Sequence, residues 1–325
     1  MQLPDQPVPR RFVTIPAYVL AWVTFSVLSP LWLPLLLVVG LVRRRHFVLV
    51  RLMVFLWVYF AAEMLGLTAV LGIYMSAPVG RAARQRRLAS LQNEWASLLY
   101  YWARTLLRLS VHVEGHEQVG QGPVLVFMRH ASIIDTLLPA VLVSRPSGVR
   151  LRYVLKKELL VDPCLDIVGH ALPNYFVDRG GETEKEVAAI RELGTELGQE
   201  GVLLYPEGTR FTDEKRVQVL ATLSRDRPDL AARAEALTHV LPPKVGGALT
   251  LLETAPDADC LIFAHRGFEG FTEVYHLLSG GLFGARIDVR MWRIPASDLP
   301  APHEREDWLF SQWERVDAFV RERST

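Results

Sequence analysis

Apolar residues crowd the front of the chain and then settle into short, spaced runs. Phe12 to Val42 is thirty-one residues without a charge, and Leu52 to Gly80 is twenty-nine with only Glu63. A membrane-spanning helix needs about 20 apolar residues, so each run is long enough to cross. The first is too long for the apolar region of a signal peptide, and no small-x-small cleavage site closes it, so it reads as a retained anchor. Pro30 and Pro34 interrupt it near the middle, where proline removes a hydrogen bond and kinks a helix. The pattern predicts a bent span or a re-entrant hairpin, with Arg43, Arg44 and Arg45 at the turn and Arg51 opening the second run. Glu63 lies near the middle of that run. There a carboxyl is functional, is kept protonated, or reaches the interface from a shallow hairpin.

From Arg81 onward the periodicity changes. Leu88, Leu91, Trp95, Leu98, Leu99, Trp102 and Leu106 recur at three and four, the spacing of an amphipathic helix. Buried-strand runs follow at Pro123 to Phe127, Leu151 to Leu155, Tyr175 to Val177, Gly201 to Tyr205, Cys260 to Ala264 and Ile287 to Trp292. Helices are expected over Ile133 to Val143, after the capping box Thr183 with Glu186, and over Glu304 to Arg321. Strands alternating with helices predict an α/β layer, a mostly parallel sheet flanked by helices. The chain therefore divides into a membrane-embedded helical hairpin with its basic flank, 1–87, and an α/β domain, 88–325.

Composition sharpens this picture by exclusion. Half the residues are apolar, 22% are charged and the mean hydropathy is +0.18, which fits neither a purely soluble protein nor a many-span channel. A net charge of +1 argues against a dedicated nucleic-acid binder. Cys164 and Cys260 form no CxxC pair, so neither a zinc knuckle nor a disulfide framework is indicated. His112 and His116 lack carboxylate or cysteine company, and no metal site is expected. Only five of the thirty-six basic residues are lysine, so the pair Lys156-Lys157 stands out. If both runs cross, the tail side collects six arginines (Arg10, Arg11, Arg81, Arg84, Arg86, Arg87) and the other side four (Arg43, Arg44, Arg45, Arg51). The positive-inside rule then leans towards a cytoplasmic globular domain. A hairpin dipping into one leaflet keeps every basic cluster on that face.

In open α/β sheets, ligands gather where strands end. Four runs here end in chemistry. His130 lies just past the run Pro123 to Phe127, and Asp135, five positions on, can return to the imidazole and hold its tautomer. Such a pair is a base without its own nucleophile, suited to deprotonating a hydroxyl on a bound substrate. Read alone, it is also a loop histidine beside a helix-cap aspartate, and Ser132 reads as bonded within the loop. Pro206-Glu207-Gly208-Thr209-Arg210 follows the run Gly201 to Tyr205 and can face an anion with backbone amides and a guanidinium, or be a plain polar turn. Asp178-Arg179 closes a third run and Lys156-Lys157 a fourth; each alone reads as solvated charge. Together they describe one site that deprotonates a hydroxyl beside a phosphate. With a membrane anchor attached, the expected substrate is phospholipid-like.

HASIID, FVDR and PEGTR, in that order and spacing, resemble the glycerolipid acyltransferases of the 1-acylglycerol-3-phosphate (lysophospholipid) acyltransferase family, over roughly Trp95 to Arg266. The resemblance implies His130 as base with Asp135 as partner. It implies Arg179, Arg210 and Lys156 or Lys157 on the acceptor phosphate, with Ser132, Glu207, Gly208 and Thr209 shaping the site. EGTRFTDEK followed by HVLPPKVGG is similar to a subgroup acting on lysophosphatidate or lysocardiolipin, in which the element Leu241-Pro242 lies on the acyl-donor side. Arg129 stands where the family often has asparagine, Asn174 where it often has glycine, and Pro242-Pro243-Lys244 matches the fourth motif approximately.

The implied reaction moves an acyl group from acyl-CoA or acyl-carrier protein, co-substrates rather than cofactors, to the sn-2 hydroxyl of lysophosphatidate. Another lysophospholipid acceptor, of lysocardiolipin or lysophosphatidylinositol type, and a non-catalytic lipid-binding module are the alternatives. The implied setting is a bacterial inner membrane, with the catalytic domain facing the cytoplasm.

Overall fold

The first apolar run forms two helices rather than one. In the computed structural model, which describes residues 6–43, 47–76, 80–177, 183–269 and 282–322, α1 (Pro7–Val27) and α2 (Ser29–Arg43) meet at Leu28 with a bend of 63°. The break lies beside Pro30, which has no N–H for the carbonyl four residues back. Pro34 sits inside α2 without interrupting it, so one proline, not both, makes the bend. The second run is α3 (Val48–Met75), among the described residues the one unbroken helix long and apolar enough to cross a bilayer. The amphipathic helix α4 (Arg81–Leu107) starts inside the basic flank.

The remaining elements, in chain order, are β1 (Ser110–Glu114), β2 (Val124–Met128), the short α5 (Arg145–Ser147), β3 (Leu151–Lys156), α6 (Pro163–Ala171) and β4 (Tyr175–Val177). Then come α7 (Thr183–Gly194), β5 (Gly201–Leu204), α8 (Asp213–Asp226), α9 (Pro228–Ala236), α10 (Val245–Thr254), β6 (Asp259–Arg266), β7 (Arg286–Ile294) and α11 (Arg305–Arg321). The chain divides into two compact units, one of residues 1–109, 154–181 and 275–284, the other of 110–153, 182–274 and 285–325.

The larger unit is a sheet with helices. Its strand order is β1-β7-β6-β2-β5-β3, and every neighbouring pair is parallel except β6 with β7. All five residues of β2 are buried, which a continuous apolar run requires when both faces of a parallel sheet are covered. Gly201 opens β5 where a Cβ would lie 2.6 Å from the Val124 carbonyl oxygen, so β2 and β5 approach closely only because no side chain intervenes.

The helix expected over Ile133 to Val143 is present but irregular, a 3-10 turn, Ile134–Leu137, running through Leu138 and Pro139 into a π-helical stretch, Ala140–Ser144. Pro139 has no N–H for the Asp135 carbonyl, and Leu138 bonds it in the tighter 3-10 pattern.

In the smaller unit, the last residues of β3 pair in parallel with β4. Helices α3 and α4 run antiparallel. Arg51 donates to the Leu106 carbonyl at 2.9 Å, and at the other end Arg84 lies over the Tyr74 ring. Helix α6 packs on both through Val70, Leu88, Cys164 and Val168, and Gly66 of α3 leaves room for the Cys164 thiol.

Glu63 is fully buried at this contact and accepts the Cys164 N–H at 3.1 Å. With Asp162, which accepts from Leu165 at 2.9 Å, it satisfies orphan donors at the start of α6. Tyr59 donates to Asp162 at 2.7 Å. Arg10, itself buried, forks onto Asp166 at 2.8 and 3.0 Å, and Arg11 adds a contact at 3.2 Å. Two of the six arginines expected on the tail side thus answer a carboxylate of α6.

Candidate active site

Strand β2 delivers Arg129 and His130 into a loop that the next residues fold back on. His130 Nδ1 lies 2.9 Å from Asp135 Oδ1, while Asp135 Oδ2 accepts the N–H groups of Ala131 and Ser132, both at 2.7 Å. Burial opposes ionisation of Asp135. His130, His265 and these bonds nevertheless hold its carboxyl well below the ordinary carboxylate range. An ionised Asp135 fixes the proton of His130 on Nδ1 and leaves the Nε2 lone pair available. The Tyr205 ring lies against the imidazole, 4.6 Å between centroids. Ser132 accepts from the Ile134 N–H at 3.2 Å, a bond within the loop.

Glu207 has a role that the sequence did not show. It is buried, and its two oxygens accept the His130 N–H at 3.0 Å and the Leu241 N–H at 2.9 Å. Burial pushes its carboxyl up to about 7 against the opposing pull of Arg129 and these two amides. One carboxyl therefore ties together the histidine loop, the EGTR turn and the Leu-Pro element. Two backbone bonds reinforce the tie, Phe211 N–H to the His130 carbonyl at 3.1 Å and Lys244 N–H to the Pro206 carbonyl at 2.7 Å. Pro242 is buried beside Leu241.

Gly208 turns the chain with φ +67°, where a Cβ would meet the Lys244 side chain at 3.0–3.1 Å. Lys215 donates to Thr209 Oγ1 at 3.1 Å and to the Arg210 carbonyl at 3.2 Å, and Arg210 is half-buried. The turn thus gathers Arg210, Lys215 and Lys244.

The larger unit brings together His130, Ser132, Asp135, Glu207, Gly208, Thr209, Arg210 and Pro242. Lys156 and Lys157 belong to the smaller unit, at the end of β3 and the start of the 3-10 turn Lys157–Val161. Arg179 lies outside the described residues.

Arg129, the departure from asparagine, is fully buried. Its guanidinium donates to the His265 carbonyl at 2.7 Å, to Glu269 at 2.5 Å and to the His239 carbonyl at 3.0 Å. His265, unnoticed in the sequence, obeys the rule that located the others. It directly follows the apolar run Cys260 to Ala264, as His130 lies just past the run Pro123 to Phe127.

The Acyltransferase family model matches residues 110–262, which hold the His130 loop, the EGTR turn and Leu241. No curated protein matches the chain. Among solved structures, the crystal structure of the 1-acyl-sn-glycerophosphate (LPA) acyltransferase PlsC from Thermotoga maritima has a similar fold. It aligns with a TM-score of 0.56 at 16% identity, covering 85% of this chain and 98% of that one. The matched segment, just under half of the chain, holds the histidine–aspartate pair and the EGTR turn to which it is braced, and over these residues the chain is similar to the Acyltransferase family.

Proposed function

We propose that the protein transfers a fatty acyl group from a thioester, acyl-CoA or acyl-carrier protein, to the sn-2 hydroxyl of lysophosphatidate, yielding phosphatidate. The observation that carries this reading is the His130–Asp135 pair, with Nδ1 committed to the carboxylate and Nε2 left as base. His130 takes the hydroxyl proton as the oxygen attacks the thioester carbonyl; the carbon–sulfur bond then breaks, and the imidazolium returns the proton to the departing thiolate. The amides of residues 130, 131, 132 and 134 are already bonded to side chains, so other donors meet the transient oxyanion. Arg210 holds the acceptor phosphate, and the resemblance implies the same role for Lys156, Lys157 and Arg179.

The test is thioester turnover with lysophosphatidate. His130→Ala and Asp135→Asn should each lower kcat by about 10²–10⁴-fold, the usual worth of a positioned base. A folded variant of either kind with near wild-type kcat would overturn the base assignment. Arg210→Ala should mainly raise KM for a phosphate-bearing acceptor. A panel of lysophospholipids with both donor types then assigns the acceptor head group, and turnover with none of them favours a lipid-binding module.

For the membrane part, the bent pair α1–α2 acts as a hairpin embedded in one leaflet. This reading is supported by the company α3 keeps, since it lies along α4, whose middle carries Gln92, Asn93 and Glu94. A spanning α3 would draw those groups into hydrocarbon, at several kcal/mol each. Both native cysteines are buried, so Arg45→Cys and the exposed α8 variant Val217→Cys can be labelled one at a time in sealed vesicles. Labelling of both from the same side is expected; labelling from opposite sides would mean a spanning hairpin.

A further inference from the structure

Asp135 has two imidazoles on it. Besides His130, His265 Nε2 lies 3.4 Å from Asp135 Oδ2 and 2.9 Å from the carbonyl oxygen of Arg129, the residue immediately before the base. His265 is fully buried on β6, its ring edge-to-face with Phe268. Its Nδ1 is buried and, among the described residues, has no hydrogen-bond partner. A proton on Nδ1 would be a buried donor with no acceptor among the described residues, whereas a proton on Nε2 has two oxygens to meet. The tautomer is therefore the one with its hydrogen on Nε2.

The surroundings hold this arrangement from the other side as well. Arg129 donates its guanidinium to the His265 carbonyl while its own carbonyl accepts from the His265 ring, a reciprocal brace between the ends of β2 and β6. His265 cannot reorient without breaking it. Among the described residues, the charged and titratable groups that face the His130–Asp135 pair and His265 are Arg129 just after β2, Tyr205 and Glu207 after β5, Glu269 after β6 and, behind Tyr205, Tyr153 of β3.

We propose that His265 is a positioning residue for the acyl transfer. Its Nε2–H, shared between the Arg129 carbonyl and Asp135, holds the carboxylate in line with His130 and takes up part of its charge. His130 thus faces a carboxylate whose charge is already shared with a second donor, and removing that donor would favour the imidazolium form. This rests on His130 being the base.

The test compares His265→Gln, whose amide nitrogen reaches the Nε2 position, with His265→Asn, whose nitrogen reaches only the Nδ1 position. Both are polar and similar in their demand on the core. The Gln variant should keep kcat within a few-fold and leave the acid limb of the kcat–pH profile in place. The Asn variant should lose about 10- to 100-fold in kcat, the usual effect of removing a partner behind a contacting group, and its acid limb should move to higher pH. KM for donor and acceptor should be unchanged in both. A purely structural role would lower the active fraction of both variants without moving the limb. Identical kcat and limb in the two variants, or a limb unmoved in the Asn variant, would overturn the proposal. His130→Ala, measured alongside, separates the two failures: near wild-type kcat there would refute the base itself.

Discussion

Two buried carboxyls at the site respond to pH in opposite senses because their surroundings differ. Asp135 faces imidazoles and two amide donors, so its folded value is depressed despite burial. Its contribution to stability is present above the unfolded value of about 3.9 and is lost as pH falls through the folded value. Glu207 is raised to about 7 by burial, so the folded state binds its proton more tightly than the unfolded chain does. Its contribution is present below the unfolded value of about 4.3 and is lost as pH rises through about 7. Unfolding midpoints measured against pH should therefore fall between about 4.3 and 7 for the wild type, and Glu207→Gln should flatten that slope. An unchanged slope would assign it to another group. These environments were not readable in the sequence, because the partners of Glu207 are backbone amides 77 and 34 residues away.

At the level of elements, the continuous apolar runs named the strands well. Val124–Met128, Leu151–Lys156, Asp259–Arg266 and Arg286–Ile294 all lie where the runs placed them, each within two or three residues. Strands buried on both faces leave a local signature that needs no knowledge of partners. The segment after His130 forms the helix that its apolar spacing predicts, but not a regular one. Asp135 and Pro139 distort it with side-chain and missing-donor effects. Gly201 tests the packing directly. In Gly201→Ala the new Cβ would lie 2.6 Å from the Val124 carbonyl oxygen, and backbone cannot yield as a flexible side chain can. Overpacking of this kind costs about 1–3 kcal/mol, so denaturant unfolding should show a loss in that range. A loss under about 0.5 kcal/mol would mean that β2 and β5 separate at little cost.

The division into an apolar front and an ordinary remainder was plain in the sequence. The larger-scale structure adds that α6, from the middle of the chain, packs with α1, α3 and α4 in the smaller unit. The buried Arg10–Asp166 pair joins residues 156 positions apart. Removing one partner of such a pair typically costs about 3–5 kcal/mol, so Arg10→Ala should lower the unfolding free energy by that order, and Arg10→Lys should restore only part of it. A near-neutral Arg10→Ala would show that Arg11 and His170 suffice for Asp166.

The sequence by itself determined the α/β class, the apolar front and the order of the motifs, because apolar periodicity and residue type are local properties. Which groups meet was decided only by the tertiary structure: His265 on Asp135, Glu207 between two loops, Glu63 at the start of α6. Those contacts join residues 34 to 130 positions apart, and nothing in the local pattern of either partner encodes the other.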